Sequence, residues 1–188
     1  MLTRRNRHTR KTLKVKPNFN KEAVYLENLY DKKTFSIILE YCQKIKDSDM
    51  VLDPKRVHGR GMYEFKNNDP ILNTICNKSL IQTVRKATGN NKLRPCFEIP
   101  IEYRKYFIGS HMDWHRDTQM LPDQLQYECV ITVENTADSK TLIEQDKGVK
   151  HLQTVPNSIL IVRALGVNHK VTKLTKGSRT IIKLVFCE

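Results

Sequence analysis

From Pro95 to Cys187 the chain is a succession of short runs rich in β-branched and aromatic residues, with no helical period between them. The runs are Phe97–Phe107, Tyr127–Asn135, Thr141–Asp146, Val149–Val155, Ser158–Ala164, Val167–Leu174 and Arg179–Cys187. Strands of this length and spacing point to a β-sandwich or barrel. Two helical segments precede them. Phe35, Ile38, Leu39, Cys42 and Ile45 line one face of a helix that starts at Thr34 and is ended by Asp47-Ser48-Asp49. Asn68-Asp69-Pro70 opens a second, a polar cap ahead of a proline that suits the first helical turn. Ile71, Ile75, Leu80, Ile81 and Val84 face inward along it, and Thr88-Gly89-Asn90-Asn91 stops it. Pro17–Leu29 reads as a strand around Ala23-Val24-Tyr25-Leu26, and Asp53–Gly61 as a loop from its Gly, Pro and charge content. His58, alone in that loop, reads as a solvated side chain rather than a substrate contact.

A chain of 188 residues suits one domain over 17–188, with its strand core at about 95–187. Residues 1–16 carry seven basic side chains and no acid, so +7 of the net +13 lies in an arm expected to be disordered. Such an arm suits contact with nucleic-acid phosphates, a nuclear address or plain solubility, and the basic balance of the rest also suits an acidic peptide partner. The chain has no apolar run of 18 residues, which speaks against a membrane span. No apolar segment follows the basic N-terminus, which speaks against a secretory signal. A cytoplasmic or nuclear location is expected. Cys42, Cys76, Cys96, Cys129 and Cys187 are scattered without CxxC spacing and read as reduced thiols.

The residues with the most chemistry lie in Gly109–Thr118 and near the C-terminus. Extended chain puts residues two apart on one face, so His115 and Asp117 can converge on one ion. His169 supplies a third ligand. Two histidines and a carboxylate suit non-haem Fe(II) and leave three positions open for reaction. Arg179 stands ten residues after His169, at the head of the last β run. The stretch also holds a second pair, His111 and Asp113. On a regular strand all four side chains share a face, with His111 and His115 about 13 Å apart, so both pairs cannot serve one ion.

This order and spacing resemble the Fe(II)/2-oxoglutarate dioxygenases, in their prolyl-4-hydroxylase-like branch. The family's pattern is an HxD pair, a distal His, a glycine eight residues past it and a basic residue ten past it, here Gly177 and Arg179. The resemblance covers roughly 97–186. It favours His115 and Asp117 as the ligand pair, because Trp114 directly precedes the histidine and Tyr106-Phe107-Ile108-Gly109 stands just before. His111 and Asp113 would then flank the site. The architecture it implies is mainly β, a double-stranded β-helix (jelly roll) with two N-terminal buttressing helices.

The cofactors it implies are Fe(II), 2-oxoglutarate and O2, with ascorbate as a stimulant, and 2-oxoglutarate decarboxylated to succinate. Arg179 would pair with the distal carboxylate of the co-substrate, Tyr106 or Tyr103 would hydrogen-bond it, and Lys183 is a further candidate for the same carboxylate. Thr141 falls where many prolyl hydroxylases have a Gly-Gly-x-Thr turn, but both glycines are missing. The arginine at 179 is the form of oxygen-sensing and many bacterial or viral relatives, where collagen enzymes carry lysine. Asp117 speaks against halogenation, since carbon-centred halogenases of this fold have a small residue there. A peptide or protein substrate, hydroxylated at proline, is the expectation. The alternatives are an AlkB-type nucleic-acid demethylase and a non-catalytic jelly-roll binding module. The basic arm favours the first, but Arg179 is not part of that family's Arg-x5-Arg pair. Intact ligand spacing argues against the second.

Overall fold

The computed structural model describes residues 22–52 and 57–188, apart from the side chains of Val57 and His58. The basic arm and residues 17–21 of the first expected strand lie outside them. In chain order the elements are β1 (Ala23–Glu27), α1 (Lys32–Gln43), a 3-10 turn (Asp47–Asp49), β2 (Val51–Leu52), β3 (Val57–Glu64), α2 (Ile71–Ile75), α3 (Lys78–Thr88), β4 (Arg94–Pro95), β5 (Glu102–His115), β6 (Gln126–Asn135), β7 (Thr141–Gln145), β8 (Gly148–Leu152), β9 (Ser158–Arg163), β10 (His169–Val171) and β11 (Arg179–Cys187). The sheet order is β1-β9-β6-β11-β5-β10-β7-β8, with β3 on β5, β2 on β3 and β4 on β11. The result is a curled antiparallel sheet with few helices, the jelly-roll form.

Alternation along the strands sorts the core into two compartments. One face carries Tyr103, Cys129, Ile131, Ile159, Ile161, Ile182, Leu184 and Phe186, all buried against Ile38, Ile75, Leu80 and Val84 of the helices. The other face of the same strands turns into the curl, with Val130, Leu160, Val162, Arg179 and Ile181. Strand β11 is therefore buried at every position, as a strand covered on both faces must be. Each fully buried leucine or valine on a helix contributes about 1.5–3 kcal/mol, so the helices hold the sheet's curvature from outside.

Three expected boundaries move. The segment expected as one helix from Pro70 divides at Cys76–Asn77, where the Asn77 side chain accepts from Leu80 N at 3.0 Å and caps a new helix. Residues 57–61, expected as loop, begin β3. Gly61 serves close packing there: a Cβ on it would lie 2.9 Å from Met50 Sδ and 3.1 Å from Phe107 Cε2. The first strand of the expected core starts at Glu102, because Cys96–Ile99 forms a turn closed by Ile99 N to Cys96 O at 3.3 Å.

Candidate metal centre

The candidate ligands come from the end of β5, the segment after it and the start of β10. His115 is the last residue of β5 and lies directly opposite His169 in the β5–β10 ladder. Asp117 follows, and its carbonyl accepts from Leu165 N at 2.9 Å, which holds that segment beside the turn before β10. The Nε2 atoms of His115 and His169 each lie 3.6 Å from Asp117 Oδ1, and the two ring centroids are 4.2 Å apart. Two ligand atoms at right angles on an ion with bonds near 2.1 Å sit about 3 Å apart. A shift of a few tenths of an ångström thus closes this set onto one metal.

A β-bulge separates the two HxD pairs. Met112 pairs with Val171 and His115 with His169, so three steps of β5 match two of β10. Met112 and His115 therefore both line the cavity, while Asp113 and Trp114 are exposed. Lys170 Nζ sits 5.1 Å above the Trp114 ring, outside the curl. The carboxylate of Asp113 is not in the cluster of donor atoms, nor is His111. Asp113 contributes its backbone: its carbonyl lies 2.8 Å from His115 Nδ1.

That contact sets the chemistry of the ring. A carbonyl only accepts, so Nδ1 carries the proton and Nε2 keeps its lone pair. His169 is set the same way by the Val167 carbonyl, 3.2 Å from its Nδ1. The Nε2 of His115 is buried without a hydrogen-bond partner. Burial pushes the His169 pKa down, against the opposing pull of Asp117. At His115 burial also acts downward, but Asp117 and the Asp113 carbonyl outweigh it and the pKa rises. Two imidazole lone pairs and a carboxylate oxygen facing one point suit a divalent first-row metal.

Arg179 lines the same cavity from the head of β11, cross-strand from Tyr106. It is 2% exposed, its Nη2 donates to Thr141 Oγ1 at 3.1 Å, and its guanidinium stands 5.2 Å from the Tyr106 ring centroid. Its Nε is buried without a partner, and among the described residues no carboxylate pairs with it. A buried cation lacking a counter-charge is costly unless a ligand supplies one. Two weaker expectations are corrected. Tyr103 faces the helices in the main core, on the opposite side of β5 from the cavity. Lys183 is buried with Nζ 4.0 Å from Glu128 Oε2, so its charge is already engaged by that carboxylate.

Arg60 was missed by sequence reasoning because it sits in the stretch read as loop. It lies in β3, opposite Tyr106, and is 3% exposed. Its Nη1 donates to the Tyr106 hydroxyl at 3.1 Å. Burial pushes the Tyr106 phenol up, but Arg60 and then Arg179 outweigh it and the pKa falls. Replacing Arg60 by methionine is therefore expected to move ionisation of this phenol to higher pH. Ultraviolet tyrosinate titration against a Tyr106→Phe control reads it.

The fold is shared with solved structures. An oxidoreductase of the 2OG-Fe(II) oxygenase family from Burkholderia pseudomallei superposes with a TM-score of 0.70 at 13% identity, covering 87% of this chain and 85% of that one. A prolyl-4-hydroxylase from Pseudomonas putida gives 0.68 at 10% identity, over 88% and 91%. A prolyl hydroxylase from Trichoplax adhaerens, solved with a peptide of hypoxia inducible factor, gives 0.67 at 11% identity, over 89% and 84%. No family model and no curated protein matches the sequence.

Proposed function

We propose that this protein is an Fe(II)- and 2-oxoglutarate-dependent dioxygenase that hydroxylates a peptide or protein, with proline as the target residue. The observation that carries the reading is one cavity with two unsatisfied ends: His115 Nε2 beside His169 and Asp117, and the uncompensated Arg179 guanidinium. A keto-diacid answers both, with the keto-acid end at the metal and the distal carboxylate at the arginine. In this reading His115, Asp117 and His169 hold Fe(II). Arg179 clamps the distal carboxylate in two-pronged fashion, with Thr141 orienting the guanidinium. Tyr106, fixed by Arg60, hydrogen-bonds the co-substrate. Bound iron supplies the O2 chemistry that couples decarboxylation of 2-oxoglutarate to hydroxylation of the substrate. Val130, Leu160, Val162, Val171 and Ile181 line the cavity with apolar surface that excludes water from the reacting centre.

The peptide reading draws on the fold likeness to prolyl hydroxylases, an analogy. An open groove along Glu22, Arg116, Glu144, Asp146, Leu165 and Asn168 beside the ligand-bearing segments supports it, since an extended chain fits such a groove. Purified protein with Fe(II), ascorbate and O2 is expected to release succinate and add one oxygen to proline-containing peptides. Demethylation of alkylated DNA with inert peptides would move the reading to the AlkB type. Anaerobically, Fe(II) plus 2-oxoglutarate should give the visible metal-to-ligand charge-transfer band. Arg179→Met is expected to need about 100-fold more 2-oxoglutarate for it, from loss of a charge-assisted pair of about 2–3 kcal/mol. A folded protein without the band would leave a non-catalytic binding module.

A further inference from the structure

Cys96 and Cys187 are 91 positions apart in the chain, and no spacing rule links them. Strand pairing does. The β4–β11 ladder sets Phe186 opposite Pro95 and Cys187 opposite Arg94, and Cys96 N donates to Val185 O at 2.8 Å. Both thiols are buried on one face of this corner, beside Ile99 and Val185. The turn at Cys96–Ile99 brings Glu98 back over them, with Cys96 Sγ 3.3 Å from Glu98 Oε2. One donor atom from each of the three residues lies within 4.8 Å of the other two.

We propose that Cys96, Glu98 and Cys187 form a second metal site, a two-thiolate, one-carboxylate set for a soft divalent cation of the zinc class. Tetrahedral zinc with Zn–S near 2.3 Å and Zn–O near 2.1 Å places sulfur and oxygen about 3.6 Å apart, close to the separation found. Two thiolates select zinc over magnesium or calcium, and a mixed S/O set is within zinc's range. The fourth position opens to solvent on the Glu98 side, the only one of the three residues that is exposed, which gives the ion and a water ligand a way in.

The carboxylate is also oriented as a ligand should be. Glu98 Oε1 is held by Arg94 Nη2 at 3.4 Å, which leaves Oε2 facing the thiols. Two thiolates, a carboxylate and a divalent ion sum to one negative charge, and the Arg94 guanidinium offsets it. The site lies at the far end of β11 from Arg179, about 27 Å along the strand. Its ion would pin the last residues of β11 to β4 and play no part in the reaction at His115.

The test uses the full chain carrying His115→Ala, so that the candidate iron site does not compete. Reduced protein titrated with Co(II) is expected to bind one equivalent with a near-ultraviolet thiolate-to-cobalt charge-transfer band, which added Zn(II) removes. Cys96→Ser and Cys187→Ser should each abolish the band. Glu98→Gln alters an exposed side chain, so the fold survives it, and should weaken cobalt binding about tenfold or more; Arg94→Met should weaken it about tenfold. A folded protein with all five thiols titrating as free and no such band overturns the proposal. So does a band that persists in either cysteine variant, or binding unchanged by Glu98→Gln.

Discussion

Asp117→Ala is expected to lower turnover about 1,000-fold or more while leaving the metal-free protein folded. The carboxylate Oδ1 stands 3.6 Å from both imidazoles and is the only anionic donor in the cluster. Without it the set is two neutral nitrogens, and on the proposed reading a hard-to-borderline Fe(II) would lose the ligand that balances its charge. Lewis-acid chemistry is worth several kcal/mol, and each 1.36 kcal/mol is about tenfold in rate.

Thermal unfolding gives a second readout that needs no substrate. Wild type at 100 times its Kd for Fe(II) gains about 2.7 kcal/mol, which for a chain of this size is a Tm rise of roughly 5–10 °C. Asp117→Ala should show none of that rise. Asp113→Ala, in the neighbouring HxD pair, should keep both activity and the iron-dependent rise, because its exposed carboxylate lies outside the cluster and its carbonyl is unchanged. Loss of the rise in Asp113→Ala and its survival in Asp117→Ala would assign the metal to the other pair. The raised pKa of His115 adds a pH dependence. The ring must shed its proton to bind metal, so iron affinity falls as pH drops through that raised value.

The jelly-roll form and the convergence of His115, Asp117, His169 and Arg179 on one cavity were legible because each rests on spacing along strands near the C-terminus. Period two carries a strand and the residue types carry the chemistry. The rest depended on what a period cannot encode. The bulge between Met112 and His115 breaks the alternation at the site, so the parity of a regular strand put His111 and Asp113 on one face with His115, whereas Met112 lines the cavity. Arg60 was hidden by Gly59 and Gly61, which suggested a loop. The chain uses Gly61 there to let Met50 and Phe107 approach a strand. The break between α2 and α3 follows from a single cap at Asn77, which leaves the apolar pattern intact. The Cys96–Cys187 corner exists only once β4 meets β11. Local pattern reads elements, and tertiary pairing decides which unremarkable residues become neighbours.

Gly177 shows the same division, since its position follows a family pattern but its reason is steric. It holds φ at +80°, and a Cβ there would lie 2.3 Å from the Thr136 carbonyl oxygen and 2.6 Å from its carbon. Those are backbone atoms in the link after β6. They are fixed by Thr136 N to Ser178 O at 2.9 Å and Ser178 N to Thr136 Oγ1 at 3.0 Å. The preceding turn is held as well. Asp138 accepts from the Thr175 hydroxyl, from Thr175 N at 3.0 Å and from Lys176 N at 3.3 Å, bonds that bring its carboxyl down to about 2. With nothing free to give way, Gly177→Ala combines left-handed strain with overpacking, together about 3–5 kcal/mol. Tm should fall by roughly 10 °C. Gly89→Ala is the control: φ is +73° but nothing lies within 4 Å of the added Cβ, so only the backbone strain of about 1 kcal/mol remains. Because Arg179 starts two residues on, the Gly177 variant that still folds should also need more 2-oxoglutarate, while Gly89→Ala should not. Equal Tm losses in the two variants would mean that the Thr136 contact relaxes, and that Gly177 is needed for its dihedral angle alone.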